Sequence, residues 1–264
     1  MYSVVEALGR LLLEQGGEVR TGEEVEEIVV EDGRAVGVRT LSGELRADLV
    51  VSNADPGHTY GALVDRKDRK RWSDRKLAST DWSMSCFLLY LGTKRQYPQL
   101  EHHTLILSER YKDLLHDIFG RKILPEDFSM YLHAPTRTDP EMAPPGSESM
   151  YVLVPVANQQ SGIDWSEVRE RFADTIIDYL EEWGLEDLRE QIEVQHVFTP
   201  EDFESELNAT WGNAFAIEPK FTQTAWFRPQ NRSEDVKSLY LVGGGTHPGA
   251  GVPGVLSSAK VLDK

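Results

Sequence analysis

The sequence is short of cysteine, short of positive charge and free of long apolar runs, and each shortage removes a class of protein. One cysteine among 264 residues excludes an intrachain disulfide and fits a reducing compartment. Twenty-eight Lys and Arg stand against 44 Asp and Glu, a formal net charge of −16. No basic face is left for phosphates, so nucleic acid is not expected as a partner, nor is a polybasic lipid anchor. The longest apolar run, Cys86 to Leu91, falls far short of the roughly 20 residues that span a bilayer. The sequence does not start on a basic stretch followed by an apolar core, and no secretory signal is expected there. What remains is ordinary for a soluble folded chain, with 40% hydrophobic and 27% charged residues. The length suits one large or two modest domains.

Periodicity gives the outline. Val4, Val5, Leu8, Leu11 and Leu12 share one helical stripe that Gly16-Gly17 would end. Strands are expected at Val25 to Val30, Ala35 to Thr40 and Leu45 to Ser52, a meander with Asp32-Gly33 as its first turn. Leu49-Val-Val51 is fully apolar, which predicts entry into a central sheet. Asp65 to Lys76 is charge-rich and predicts an exposed helix or loop. Further strands are expected at Ser83 to Leu91, Phe128 to His133, Met150 to Val156 and Ile192 to Phe198, and a short amphipathic helix at Tyr111 to Phe119. A long helix should start at Asp164, with Glu167 completing a capping box and Gly184 closing it. Residues 201–232 are aromatic and interrupted by proline, and no element is assigned there.

The densest chemistry lies near the end. From Leu239 to Val255 an apolar run leads into a segment with six glycines and two prolines, followed by Ser257, Ser258 and Ala259 at helical spacing. This order reads as a buried strand, a loop whose backbone comes close to something, and a helix start with free N–H groups. A tight structural turn is the plainer alternative. No Lys-Ser/Thr follows the glycines, which argues against a nucleotide-hydrolysing loop, and no βαβ unit follows to make a dinucleotide fingerprint. Without a Gly-x-Ser-x-Gly elbow, no hydrolase is supported. His102 and His103 on one strand would face opposite sides, so a shared metal is not expected. Cys86 reads as a core residue. Arg228 and Arg232 could hold an acidic group or a strand end, and His247 could meet a ligand or brace its loop.

Taken together, the segment Gly243-Gly-Gly-Thr-His-Pro-Gly-Ala-Gly-Val-Pro-Gly-Val255 resembles the C-terminal signature of bacterial phytoene desaturases, which are FAD-dependent carotenoid oxidoreductases. Collinear segments strengthen the resemblance. They are Asp48 to Asp55 with His58-Thr-Tyr60, His102-His-Thr104, Asp127 to Pro135, Phe198-Thr-Pro200 with Asp202-Phe203, and Leu207-Asn-Ala209. Gly212 to Phe215 with Glu218-Pro219, and Thr222 to Arg232, complete the series. The family usually has Gly-Ala-Gly where Gly243-Gly-Gly245 stands, a change that keeps the loop small. Its N-terminal strand, Gly-x-Gly-x-x-Gly turn and helix, which hold the FAD pyrophosphate, are not in this sequence. Because family members often carry Gly-Gly-Met before the first helix, Met1 is expected to be an internal methionine and the chain the C-terminal half of a longer enzyme.

The resemblance implies an α/β fold: a partial Rossmann-like FAD domain with an inserted α+β substrate domain. Residues 1–55 and 236–264 fall to the cofactor side and 56–235 to the substrate side. Val25 would approach the adenine. Gly243, Gly244, Gly245, Thr246, Gly251, Val252, Pro253, Gly254 and Val255 would line the flavin, with the last helix aiming its N–H groups at the ring's N1/C2=O edge. Hydride would pass to flavin N5 from a saturated C–C bond beside a polyene. The neutral substrate predicts an apolar tunnel, with Phe215, Phe221, Trp226, Phe227 and His247 as candidate lining residues or, equally, core packing. No catalytic residue and no metal ligand is assigned. Peripheral attachment to the inner face of the cell membrane follows from a lipid-soluble substrate, and a homo-oligomer is compatible with it. Related carotenoid isomerases and ketolases remain open, as does a catalytically silent fragment or complementing half.

Overall fold

The computed structural model describes residues 2–263, and Met1 lies outside them. Among these residues ten strands make three sheets. The first is an antiparallel meander of β1 (Val25–Glu31), β2 (Arg34–Thr40) and β3 (Gly43–Arg46). Its tight turn holds Asp32 at φ 48° and Gly33 at φ 73°, two left-handed residues in a row, as the Asp-Gly pair predicts. The second sheet pairs β4 (Val50–Ser52) with β10 (Leu239–Leu241) in parallel, which brings the two ends of the chain side by side. The third has the order β6 (His103–Ile106), β7 (Met130–His133), β8 (Glu148–Val156), β5 (Ser85–Thr93) and β9 (Ile192–Phe198), antiparallel throughout.

Among the described residues eight α-helices accompany them: α1 (Tyr2–Glu14), α2 (Pro56–His58), α3 (Asp74–Ala78), α4 (Tyr111–Leu115), α5 (Trp165–Trp183), α6 (Leu188–Gln191), α7 (Pro200–Leu207) and α8 (Val252–Lys260). The longest, α5, starts on Asp164, whose carboxylate accepts the Ser166 N–H at 3.0 Å, and ends on Gly184 at φ 126°. The reciprocal capping box expected there is found instead on α7, between Thr199 and Asp202. The end of α1 follows the glycine pattern, with Gly16 at φ 83° and the Gly17 N–H on the Leu12 carbonyl.

The main core lies between the five-stranded sheet and α5. Strand β8 alternates strictly, sending Met150, Val152, Val154 and Val156 inward. Phe172, Ala173, Ile176, Ile177 and Leu180 form the facing stripe of α5, and Phe87 from β5 meets Phe172 edge-on at 4.9 Å. Cys86 is buried in β5, as its apolar run predicts, and burial pushes its thiol pKa up to about 12. A smaller core joins Ile28, Ala35 and Val50 with Leu239 and Leu241 from the other end, and draws in Tyr60, Trp72, Trp82 and Ile217.

Three expectations need correction. Leu45 to Ser52 is not one strand. Ala47 donates to the Val36 carbonyl at the end of the meander, while Val50 donates to Ser238 O at 2.9 Å, so the chain changes sheets between them. In β4 only Val50 and Ser52 are buried, and Leu49 and Val51 are exposed, since the two-stranded sheet leaves one face open. Asp65 to Lys76 is not uniformly exposed, because Trp72 stacks on Tyr60 at 5.3 Å and Arg69 is buried with it. Finally, the unassigned stretch from 201 begins in a regular helix, α7, with Pro200 at its first position.

Candidate functional site

Parallel pairing makes β4 and β10 end at the same edge, so the loop after each meets the other. Val242 N–H extends the pairing to Ser52 O at 2.9 Å. The Gly243 N–H then donates to Ser258 Oγ at 2.8 Å, and that hydroxyl donates to Val255 O at 2.6 Å. The fully buried Ser258 thus seats α8 on the glycine loop, which explains the small residues at this helix face. Two glycines are sterically required. A Cβ on Gly245 would collide with the Pro56 ring, and one on Gly254 would lie 2.7 Å from Gly249 O. Gly251, at φ 97°, caps α8 without a side-chain hydrogen bond. Helix geometry leaves the Val252 and Gly254 N–H groups without intrahelical partners, and Pro253 has none to leave.

Two residues outside the loop hold its shape. Arg228 is buried and donates through Nη2 to Gly244 O at 2.6 Å and through Nε to Thr246 O at 3.2 Å. Burial lowers its pKa from the usual guanidinium value. Asn231 donates through Nδ2 to the carbonyls of Leu241 and His247, at 3.2 and 2.9 Å. Of the two open readings for Arg228, an acidic partner or a strand end, neither describes what it does, because its acceptors are loop carbonyls. Arg232 pairs with Tyr240 through an isolated backbone bridge, and its side chain is exposed.

A third segment is tied in by Asp55, just after β4. Its Oδ1 accepts from Gly57 N–H at 2.8 Å and Thr210 Oγ1–H at 2.6 Å, and its Oδ2 from Asn213 Nδ2 at 3.0 Å. Asn213 in turn accepts the Ala216 N–H through Oδ1. This network sets Phe215 beside the glycine loop and closes a cleft of about 310 Å³. Asn53, Ala54, Phe215, Gly244, Gly245 and Val255 are among its lining residues. Nearby, His58 is half-buried, and desolvation lowers its pKa against the opposing pull of Asp55 and Glu24.

The sequence-predicted residues therefore divide. Gly244, Gly245, Gly251, Val255 and Phe215 line one cleft. Gly243 and Thr246 are buried behind it, and Val252, Pro253 and Gly254 make the first turn of α8. Val25 is half-buried at the start of β1, away from the cleft. Phe221, Trp226 and Phe227 are 87%, 79% and 57% exposed and do not line it. His247 is exposed, with its carbonyl taken by Asn231. Sequence reasoning missed Asp55, Asn213, Asn231 and Ser258, although each lies inside or beside a segment that carries the resemblance.

The histidine pair also differs from expectation. His102 precedes β6, so strand alternation does not separate it from His103, and the two rings lie 4.3 Å apart. His133, opposite His103 on β7, joins them.

Low walls without Cβ atoms, apolar Ala54, Phe215 and Val255, and the free N–H groups of α8 suit a flat, electron-accepting ring with a polar edge. Comparison with known proteins agrees. Residues 1–261 match the family of flavin containing amine oxidoreductases. The chain is 46% identical to the neurosporene-forming phytoene desaturase of Cereibacter sphaeroides over 99% of its own length and 52% of that enzyme's. It is 45% identical to the lycopene-forming phytoene desaturase of Pseudescherichia vulneris, over 98% and 53%. It thus spans about half the length of these relatives. An oxidoreductase structure from Methanosarcina mazei superposes with a TM-score of 0.61 at 22% identity, over 99% of this chain and 53% of that one, which shows the shared fold. By its match over residues 1–261, the chain belongs to the flavin-containing amine oxidoreductase family, with bacterial phytoene desaturases among its relatives.

Proposed function

We propose that the chain is the C-terminal part of an FAD-dependent carotenoid desaturase that acts on a phytoene-like hydrocarbon. The observation that carries this is the cleft in which Gly244, Gly245, Gly251, Val255 and Phe215 meet at the N-terminus of α8. FAD, when bound, supplies the two-electron acceptor for removal of two hydrogens from a C–C bond. The chain's own contribution is positional and electrostatic. Val252 and Gly254 present N–H groups, and the α8 dipole favours negative charge beside them. Arg228 and Asn231 fix the loop carbonyls so that the cleft is preformed. Phe215 and Val255 keep that side apolar, as a hydrocarbon requires. Residues 1–55 and 236–264 are the cofactor side in this reading, and 56–235 the substrate side, with Val25 near the adenine.

Among the described residues no helix is long and apolar enough to cross a membrane. A lipid-soluble substrate would be collected instead by peripheral contact through exposed apolar residues such as Phe221, Trp226 and Phe227. A second reading, a complementing half that is silent alone, is favoured by the uncovered apolar stripe of α1. Both readings expect the chain alone to hold FAD weakly and to desaturate nothing. The test joins it to the remaining part of the Cereibacter enzyme in phytoene-accumulating cells. Coloured carotenoid and a yellow flavoprotein are expected. Bound FAD with colourless cells would overturn the substrate assignment, and failure to take up FAD would overturn the cofactor assignment.

A further inference from the structure

We propose that His102, His103 and His133 form a binding site for a divalent transition-metal cation at the β6–β7 edge of the five-stranded sheet. One ligand nitrogen from each ring lies within 4.8 Å of the other two. His102 and His133 already face each other Nε2 to Nε2 at 3.0 Å. Metal–imidazole distances of about 2.0–2.1 Å place ligand nitrogens about 3.3 Å apart in a tetrahedral site, so this pair is close to ligating geometry. His103, exposed at the strand edge, supplies the third nitrogen, already within 4.8 Å of the other two.

The surroundings orient the rings as metal sites do. Thr138 Oγ1 lies 2.7 Å from His102 Nδ1, and in the tautomer whose Nδ1–H donates to that hydroxyl, His102 Nε2 keeps its lone pair for a cation. The Tyr131 hydroxyl lies 2.7 Å from His103 Nδ1 and stacks ring on ring with it, which steers that side chain. The proton now shared between the Nε2 atoms moves to Nδ1 of His133 when the cation takes its place, so the imidazoles stay neutral. Three nitrogens without a carboxylate favour zinc, nickel or copper over magnesium or calcium. They also leave one coordination position for water.

The elements joined give the site its effect. β6 is an edge strand held only to β7, and His102 lies just before it. A cation bridging His102 and His103 to His133 would pin that edge, raising stability by mass action. The site lies on a different sheet from the glycine loop and stands whether or not the flavin reading does.

The test titrates chelator-treated, tag-free chain with Zn²⁺ by calorimetry, alongside Cu²⁺ by electron paramagnetic resonance. One equivalent with nitrogen hyperfine structure and a Zn²⁺-dependent rise in Tm are expected. His102→Ala, His103→Ala and His133→Ala should each weaken binding by about tenfold or more. His116→Ala and His196→Ala should change nothing, since those rings lie outside the cluster. A His133→Gln variant with native circular dichroism guards against misfolding. Stoichiometric binding that survives the triple histidine replacement, or no binding at micromolar Zn²⁺, would overturn the site.

Discussion

The five-stranded sheet and the paired β4–β10 sheet are built from similar residues but bury them very differently. Around α5 the sheet has its own cover, and Phe87, Leu89, Val152, Val154 and Ile176 are completely enclosed. At the paired ends, α1 has no buried residue and β4 shows one face to solvent. Yet the hydrogen-bonded detail is finer there, with Arg228, Asn231 and Ser258 shaping the glycine loop and Asp55 tying the neighbouring segment to it. The first region holds itself together by area, and the second leaves apolar surface open. Stability and function are therefore expected to respond to different substitutions.

The largest effect should fall on the covered sheet. Phe87→Ala removes a ring packed between Trp165 and Phe172 and should cost about 3–5 kcal/mol in urea unfolding. A loss below about 1 kcal/mol would mean that this core is looser than its burial implies. Next in size is Arg228→Met, which leaves Gly244 and Thr246 carbonyls without their charged donor. About 1.5–3 kcal/mol is expected, by the strength of charge-assisted hydrogen bonds, together with loss of flavin uptake by the completed enzyme. Retained uptake with lowered stability would make Arg228 purely structural and remove the proposed link between loop shape and cofactor.

A pH effect separates the regions again. The pKa of His58 is lowered by burial, so the folded chain favours its neutral form. The unfolded chain binds this proton first, at about pH 6.5, so the stabilisation is complete above that value. It is lost as pH falls through the window between the unfolded and the lowered folded pKa. His58→Gln should flatten urea midpoints across this window, measured against wild type. An unchanged slope would assign the acid sensitivity to other groups.

Legibility in the sequence follows the same division. Strands β5 and β8, helix α5 and the Asp32-Gly33 turn were readable because periodicity and turn chemistry are local. The glycine loop was readable as unusual backbone, and its glycines divide between crowding at Gly245 and Gly254 and left-handed φ at Gly249 and Gly251. The role of Asp55 was not, because it meets Thr210 and Asn213 across 155 and 158 positions of sequence. No local pattern encodes such pairings. The same holds for His133, which joins His102 across 31 positions. Phe221, Trp226 and Phe227 suit an apolar tunnel by residue type, and residue type alone does not say which way a ring faces.

The smallest effect tests the open region directly. Leu8 and Leu12 lie on the α1 stripe at 50% and 44% exposure, so truncating them gives up little buried area. Alanine is also the better helix former by a few tenths of a kcal/mol, which offsets part of the loss. Leu8→Ala with Leu12→Ala should therefore shift the urea midpoint by less than about 0.5 kcal/mol, against several for Phe87→Ala. Were the double replacement to cost more than about 1.5 kcal/mol, the stripe would have to be covered in solution. Repeating the measurement at a tenfold lower protein concentration then separates two covers. A cost that fades on dilution points to a second copy of the chain, and one that persists points to α1 folding back on its own sheet.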